Sequence, residues 1–385
     1  MNVFVAADNI ISPLGFTSIE NFENLKHLQT GVRFFETSDF SVEPVHAAVI
    51  DNEKIETEFK KLNTSNGYTK LEKMAILSIH KALEQNTTID IKSEKTLIIF
   101  SSTKGNIDLL QPELKNKYDK KRLFLWETAK VICSHFQNPN TPLVVSNACI
   151  SGVIALMLGK RLLEENSKYE NIIVVGADII THFVVSGFQS FKAVSTEIAK
   201  PYDAERIGIS LGEAAGTIVL TNNVSAISTT SSILVKGGAS SNDANHISGP
   251  SRSGDGLLLA IEKALEESNL KAEDIHFISG HGTATLFNDE MEALAINDAH
   301  LQNVPMNSLK SYFGHTLGAA GIIESVITLE SMRKNTLIAT FNFKTLGTSK
   351  PVNIISKTQE ANLQNCLKTA AGFGGCNAAI VFSKQ

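Results

Sequence analysis

Several things are scarce in this chain. Its 385 residues hold four cysteines, one tryptophan and nine prolines. Cys133, Cys149, Cys366 and Cys376 contain no CxxC pair and are too few to staple a chain of this length. A disulfide scaffold is therefore excluded. No apolar run approaches the roughly 20 residues that cross a bilayer. Nor is there an excess of basic charge. Against 35 Lys and Arg stand 40 Asp and Glu, a formal net charge of -5, which argues against a nucleic-acid binder but leaves room for a local basic patch. Met1 to Asp8 lacks a basic leader region and reads as a first strand rather than a signal peptide. These absences lead us to expect a cytoplasmic protein with no membrane span.

What is present is ordinary globular material, 43% hydrophobic and 19% charged. Apolar, Val- and Ile-rich runs of strand length occur at 96–100, 142–145, 171–175, 216–220, 233–235, 276–279 and 378–382. Helical patterns lie between them at 71–83, 152–164, 256–267 and 319–332. Such alternation predicts an α/β fold whose sheets are covered on both faces. A polar stretch at 221–232, rich in Thr, Ser and Asn, divides the chain into 1–221 and 222–385. Each half has several strands and a glycine-flanked motif, which suggests a duplicated topology.

Cys149 follows the apolar Leu143-Val144-Val145 and precedes Ser151-Gly152, where a helical pattern starts. A strand–turn–helix junction holds a side chain at the mouth of a sheet. The helix start offers free N–H groups and the positive end of the dipole, both of which favour thiolate. The ordinary alternative for such a cysteine is burial as a small packing residue. Cys133, in a helical pattern with no glycine or turn beside it, and Cys366, in a polar stretch just before the last strands, fit that alternative.

His281 lies between Gly280 and Gly282 at the end of an apolar run, and His315 follows Gly314 and opens a small-residue helix. Strand ends and helix starts converge on the ligand edge of an α/β sheet. The other eight histidines lack such settings. A metal held by Cys149, His281 and His315 is not expected, because the donors come from distant segments rather than the short spacings of zinc sites. Lys310 and Glu292 stand in apolar or glycine-rich surroundings, where a buried Lys–Glu pair would fix donors near the imidazoles. Gly372-Phe373-Gly374-Gly375 precedes the last apolar run, and three glycines in four residues mark backbone that passes close to something. One use is a backbone N–H aimed at an oxyanion; the plainer one is a tight turn.

The order Cys149, His281-Gly282-Thr283-Ala284-Thr285, Lys310 to Gly321 and Gly372 to Gly375 resembles the elongating β-ketoacyl-acyl-carrier-protein synthases. These belong to the thiolase-like condensing enzymes. Further matching blocks are 11–15, 201–206 and 212–216, so the resemblance spans nearly the whole chain. It implies duplicated βαβαβαββ halves in an α-β-α-β-α stack. It also implies decarboxylative Claisen condensation of a malonyl-carrier extender with an acyl primer on Cys149. By the same resemblance, His281 and His315 promote decarboxylation, with Lys310 and Glu292 as supporting charges. The N–H groups of Cys149 and Phe373 form the oxyanion hole, with Phe373 also gating. Thr283, Thr285 and Gly374 bind pantetheine or substrate. No metal or other cofactor is implied beyond the carrier's phosphopantetheine. The partners implied are an acyl carrier protein and a second ketosynthase-like subunit, identical or chain-length-factor-like.

Acyl carrier proteins are acidic, so a basic docking surface is expected. The densest basic run holds Lys115, Lys117, Lys120, Lys121 and Arg122, and Lys70, Lys73 and Arg206 are added by family position. Two departures stand out. Cys376 replaces the threonine that usually follows the glycine loop. Lys104, in the polar stretch 101–106, falls where relatives place an apolar residue facing the acyl pocket. Facing inward, it would disfavour long saturated chains and point to a polyene, aryl-primed or polyketide substrate. The alternatives are a non-catalytic chain-length-factor-like subunit, which Cys149 argues against, and a thiolase acting on coenzyme A thioesters.

Overall fold

The computed structural model describes residues 1–385 except 65–66, 115, 166–167, 228–231 and 244–248. Lys115, His246 and part of the 221–232 stretch lie outside the described residues.

Ten strands build the centre: β1 (Phe4–Ile11), β2 (Thr96–Ser101), β3 (Leu143–Val145), β4 (Asn171–Asp178), β5 (Ala214–Thr221), β6 (Ile233–Asn242), β7 (Phe277–Ser279), β8 (Met306–Asn307), β9 (Asn365–Gly372) and β10 (Cys376–Lys384). Their spatial order is β8-β7-β9-β10-β6-β1-β5-β4-β2-β3. Both sides of that order follow one rule. In each set of five, the first strand pairs antiparallel with the last and the last antiparallel with the fourth. The fourth pairs parallel with the second, and the second parallel with the third. The sets meet where Phe4 pairs with Leu234.

Six helices position the site: α1 (Lys70–Glu84), α2 (Ser151–Glu165), α3 (His182–Ser190), α4 (Asp255–Ser268), α5 (Leu286–Asp298) and α6 (Ala320–Lys334). Strand side chains alternate between faces, and here both faces are apolar. Ile172 and Val174 of β4 enter one core while Ile173 and Val175 enter another. In β10, Ile380 and Phe382 join the first core and Ala379 and Val381 a third. The shared first core is filled by α2 and α6, which touch strands of both sets. Helix α1 covers the outer face of β1, β4 and β5, and α4 that of β6 and β10. The result is the expected α-β-α-β-α stack.

The two inner helices touch backbone to backbone. A Cβ at Gly152 would lie 2.8 Å from the Ile322 nitrogen, and one at Gly321 2.7 Å from the Val153 nitrogen. Only glycine permits that approach.

Three sequence expectations differ from the structure. Residues 365–372, read as a polar stretch, form strand β9, whose Asn365, Lys368 and Thr369 are satisfied inside the protein. Helix α5 went unread because its apolar residues follow no clear helical stripe. His315 does not open a helix: its N–H donates to the Ser210 carbonyl at 2.7 Å, and Leu317 has φ 52°, so α6 begins only at Ala320.

Candidate active site

Cys149 sits on the turn between β3 and α2. Ala148 takes a left-handed φ of 45°, a strained position for an alanine. Ser151 holds the turn: its Oγ accepts from the Asn147 N–H at 2.7 Å and donates to the Ala148 carbonyl at 2.6 Å. His281 leaves β7, His315 leaves the short helical turn Lys310–Phe313, and both rings are buried. The ring centroids are 5.4 Å apart, nearly perpendicular, and His315 Nε2 lies 3.0 Å from Cys149 Sγ. Segments far apart in sequence thus bring three donor atoms within 4.8 Å of one another. The separation that argued against a metal is removed by the fold.

Each imidazole has a donor at its far nitrogen. Lys310 Nζ is 3.4 Å from His281 Nδ1 and donates to the His281 carbonyl at 2.7 Å. The Leu317 N–H donates to His315 Nδ1 at 3.2 Å. With both Nδ1 atoms accepting, a neutral ring carries its proton on Nε2. Burial, with Lys310 and Lys368 adding to it, holds both histidines well below the usual imidazole range. Both are neutral near pH 7.

The thiolate expected from the helix start is not the resting form. Burial pushes the Cys149 thiol up to about 12, against the pull of Lys310 and of the Phe373 N–H on the sulfur. Desolvation disfavours the charged form more than these groups favour it. The glycine loop lies against the thiol: a Cβ on Gly372 would be 3.1 Å from the Cys149 nitrogen.

Lys310 and Glu292 do not pair. Lys310 instead bonds Glu324 of α6 at 2.6 Å, and Lys368 of β9 approaches the other Glu324 oxygen at 2.8 Å. Glu292 accepts from the N–H groups of His281 and Gly282 at 2.7 and 2.8 Å, and from the hydroxyls of Thr369 and Tyr202 at 2.6 and 2.8 Å. It fixes the His281 loop through backbone rather than charge. Glu324 and Lys368 were missed. Their signal was present: a glutamate inside a helix buried on all sides, and a lysine in a run that proves to be a strand, each require a partner.

A narrow cleft of about 80 Å³ opens beside the thiol, lined by Cys149, both histidines, Thr283, Thr285 and Phe373, among others. Phe373, 38% exposed, stacks on Phe188 at 5.6 Å and meets Phe191 edge-on at 5.4 Å. Gly374 is exposed with φ 90° and is not among the residues lining the cleft. Neither is Lys104, whose side chain is exposed. The polar stretch is polar for an internal reason. Buried Asp178 accepts from the Ser102 hydroxyl, from the N–H groups of Thr103 and Lys104, and from Gly318 N–H at 2.7 Å. That hub ties β2 to the His315 segment and accounts for the polarity around Lys104.

Most docking candidates also face inward. Lys70 pairs with Glu213, Lys73 is buried on Glu56, and Arg122 bonds Glu72 at 3.1 Å. Arg206 is buried and donates to the Asp203 carbonyl at 2.9 Å. Their partners are carboxylates and carbonyls that the sequence spacing does not reveal. Lys120 and Lys121 are exposed, on the turn Lys120–Leu123.

A buried thiol, two neutral imidazoles and a backbone N–H on the sulfur define an acyl-transfer centre of the condensing type. The chain belongs to the β-ketoacyl synthase family. The N-terminal domain of that family matches residues 3–226 and the C-terminal domain residues 232–344. A Schizosaccharomyces pombe protein named as a mitochondrial 3-oxoacyl-acyl-carrier-protein synthase is 26% identical, over 81% of this chain and 80% of its own length. The 3-oxoacyl-acyl-carrier-protein synthase 2 of Rhizobium meliloti is 30% identical over 64% of this chain; the match spans 61% of that relative. Among solved structures, the ketosynthase ApeO of Xenorhabdus doucetiae, in complex with its chain length factor, superposes over 100% of this chain with a TM-score of 0.88 at 22% identity.

Proposed function

We propose that this protein is a β-ketoacyl-acyl-carrier-protein synthase that extends a Cys149-bound acyl group by two carbons. The observation that carries this reading is the 3.0 Å approach of His315 Nε2 to Cys149 Sγ, beside a second buried imidazole. Cys149 attacks the carbonyl of an acyl-carrier thioester, and its proton leaves on the carrier's thiol. A malonyl thioester then enters and loses CO2. The Nε2–H groups of His281 and His315 hold the enolate oxygen that develops. The carbanion attacks the Cys149 thioester, whose oxyanion meets the N–H groups of Cys149 and Phe373. The products are CO2, a 3-oxoacyl-carrier thioester and the Cys149 thiolate, which takes one proton from solvent to return to the thiol.

Thr283 and Thr285, whose hydroxyls lie 2.8 Å apart in the cleft wall, face the incoming pantetheine arm. The reading takes 1–221 and 222–385 as the two halves, supported by their identical strand order. It is cytoplasmic, supported by four free, buried cysteines. No helix among the described residues is long and apolar enough to cross a membrane. Pairing with a second ketosynthase-fold chain, identical or chain-length-factor-like, is supported by the Xenorhabdus complex and by the open sheet edge at β3. The test is incubation with an acyl-carrier thioester and malonyl-carrier protein. Formation of a 3-oxoacyl-carrier product with equal release of CO2 is expected; thiolysis of coenzyme A thioesters instead would favour a thiolase.

For carrier docking, Lys117, Lys120 and Lys121 remain exposed among the sequence candidates, and Lys120 and Lys121 share one turn. Reversing both to glutamate should raise KM for the carrier-bound extender by about tenfold through lost steering. kcat, and turnover of a free pantetheine thioester, should stay unchanged. An unchanged KM would move the docking surface elsewhere.

A further inference from the structure

Lys368 is a buried charge that the condensation reading leaves without a task. It lies on β9 with no solvent exposure. Its Nζ sits 2.8 Å from Glu324 Oε2 and 3.3 Å from the carbonyls of Ser279 and Gly280, and touches the Thr369 carbonyl. All four neighbours are acceptors, and the three-donor ammonium suits them where an amine does not. Two of these carbonyls belong to the end of β7 that delivers His281.

We propose that Lys368 is a positioning residue for His281, clamping that strand end and setting a second ammonium behind the two imidazoles. The inference rests on His281 and His315 acting as neutral donors in the condensation. The charges behind the rings make the case. Lys310 comes from its short helical turn and Lys368 from β9; Glu324 faces them from α6, and Glu292 from α5 supports the His281 backbone. Tyr202 stands on Glu292, Asp289 lies opposite Arg206 at 3.8 Å, and Cys149 faces the rings from the other side. Two ammoniums against the carboxylates Glu324 and Glu292 sum to zero. Without Lys368, one ammonium faces two carboxylates. That excess negative charge draws a proton onto an imidazole, and an imidazolium that has lost its neutral tautomer disturbs the site built for the enolate.

The test measures decarboxylation of malonyl-carrier protein between about pH 5 and pH 8 for the wild type, Lys368→Met and Lys368→Gln. Both variants should move the acid limb upward by about one pH unit. At about pH 5 they should then retain roughly half the activity, relative to pH 8, that the wild type retains. A uniform loss at every pH, or an unmoved limb, overturns the proposal and leaves Lys368 a packing residue. Lys368→Gln keeps a donor for the carbonyls and serves if the methionine variant does not fold. Independently of any variant, the isotope-labelled Cε1 NMR signals of His281 and His315 in the wild type should stay at the neutral position down to about pH 5. Titration near the ordinary imidazole value overturns it as well. A wild type without malonyl decarboxylation at any pH would instead sink the condensation reading.

Discussion

Glu324→Ala should lower the melting temperature by about 5 °C and leave little condensing activity. The carboxylate is the shared counter-ion of Lys310 and Lys368, both fully buried. Removing one partner of a buried ion pair strands charge in the interior and costs about 3–5 kcal/mol. At an unfolding entropy of about 2.1 cal/mol/K per residue, a chain of 385 residues shifts by roughly 1.2 °C per kcal/mol. The pH dependence has a definite sign. Burial alone would raise the Glu324 carboxyl, but Lys310 and Lys368 outweigh it and hold it below 4.5. Its contribution is therefore fully present above 4.5 and is lost as pH falls through the depressed native value. Thermal unfolding monitored by circular dichroism at neutral pH checks the first claim. A variant as stable as the wild type would show that the two ammoniums find other acceptors.

The two histidines should separate by step. His281→Ala and His315→Ala should each slow malonyl decarboxylation by about 10² to 10³-fold, the usual loss for one oxyanion donor. Only His315 touches the sulfur, at 3.0 Å. His315→Ala should therefore also change the rate at which Cys149 takes an acyl group, while His281→Ala leaves that rate within about twofold. Single-turnover acylation followed by mass spectrometry distinguishes them. Equal effects on both steps would mean that the rings act as one structural unit.

Much of this site was legible because its residues sit where glycine and apolar runs change character. Cys149, His281 and His315 each stand at the end of such a run, and the fold brings those ends to one edge. The buried charges were harder to read. Lys310 looked set to pair with Glu292, yet Glu324 takes it and Glu292 turns to backbone N–H groups. Spacing along the chain carries no information about which carboxylate a long lysine reaches across three elements. Strand β9 escaped notice because its polar side chains are satisfied internally, by Glu292, Glu324 and the carbonyls of β7. Lys104, placed at the acyl pocket by resemblance, is exposed in this chain, in a segment whose polarity has an internal cause. That cause is Asp178. The docking lysines show the same limit, since Lys70 and Lys73 look exposed in sequence and are occupied by Glu213 and Glu56.

The most direct test of the proposed chemistry is intact-protein mass after exposure to acyl-carrier thioesters of varied length, unsaturation and aryl content, alongside Cys149→Ala. A gain equal to one acyl group in the wild type, absent from Cys149→Ala, is the expected result, and the donor that gives it identifies the primer. Either contrary result would contradict a Cys149 acyl-enzyme: a gain that survives Cys149→Ala would put the acyl group on another residue, and none from any donor would favour a non-catalytic partner subunit.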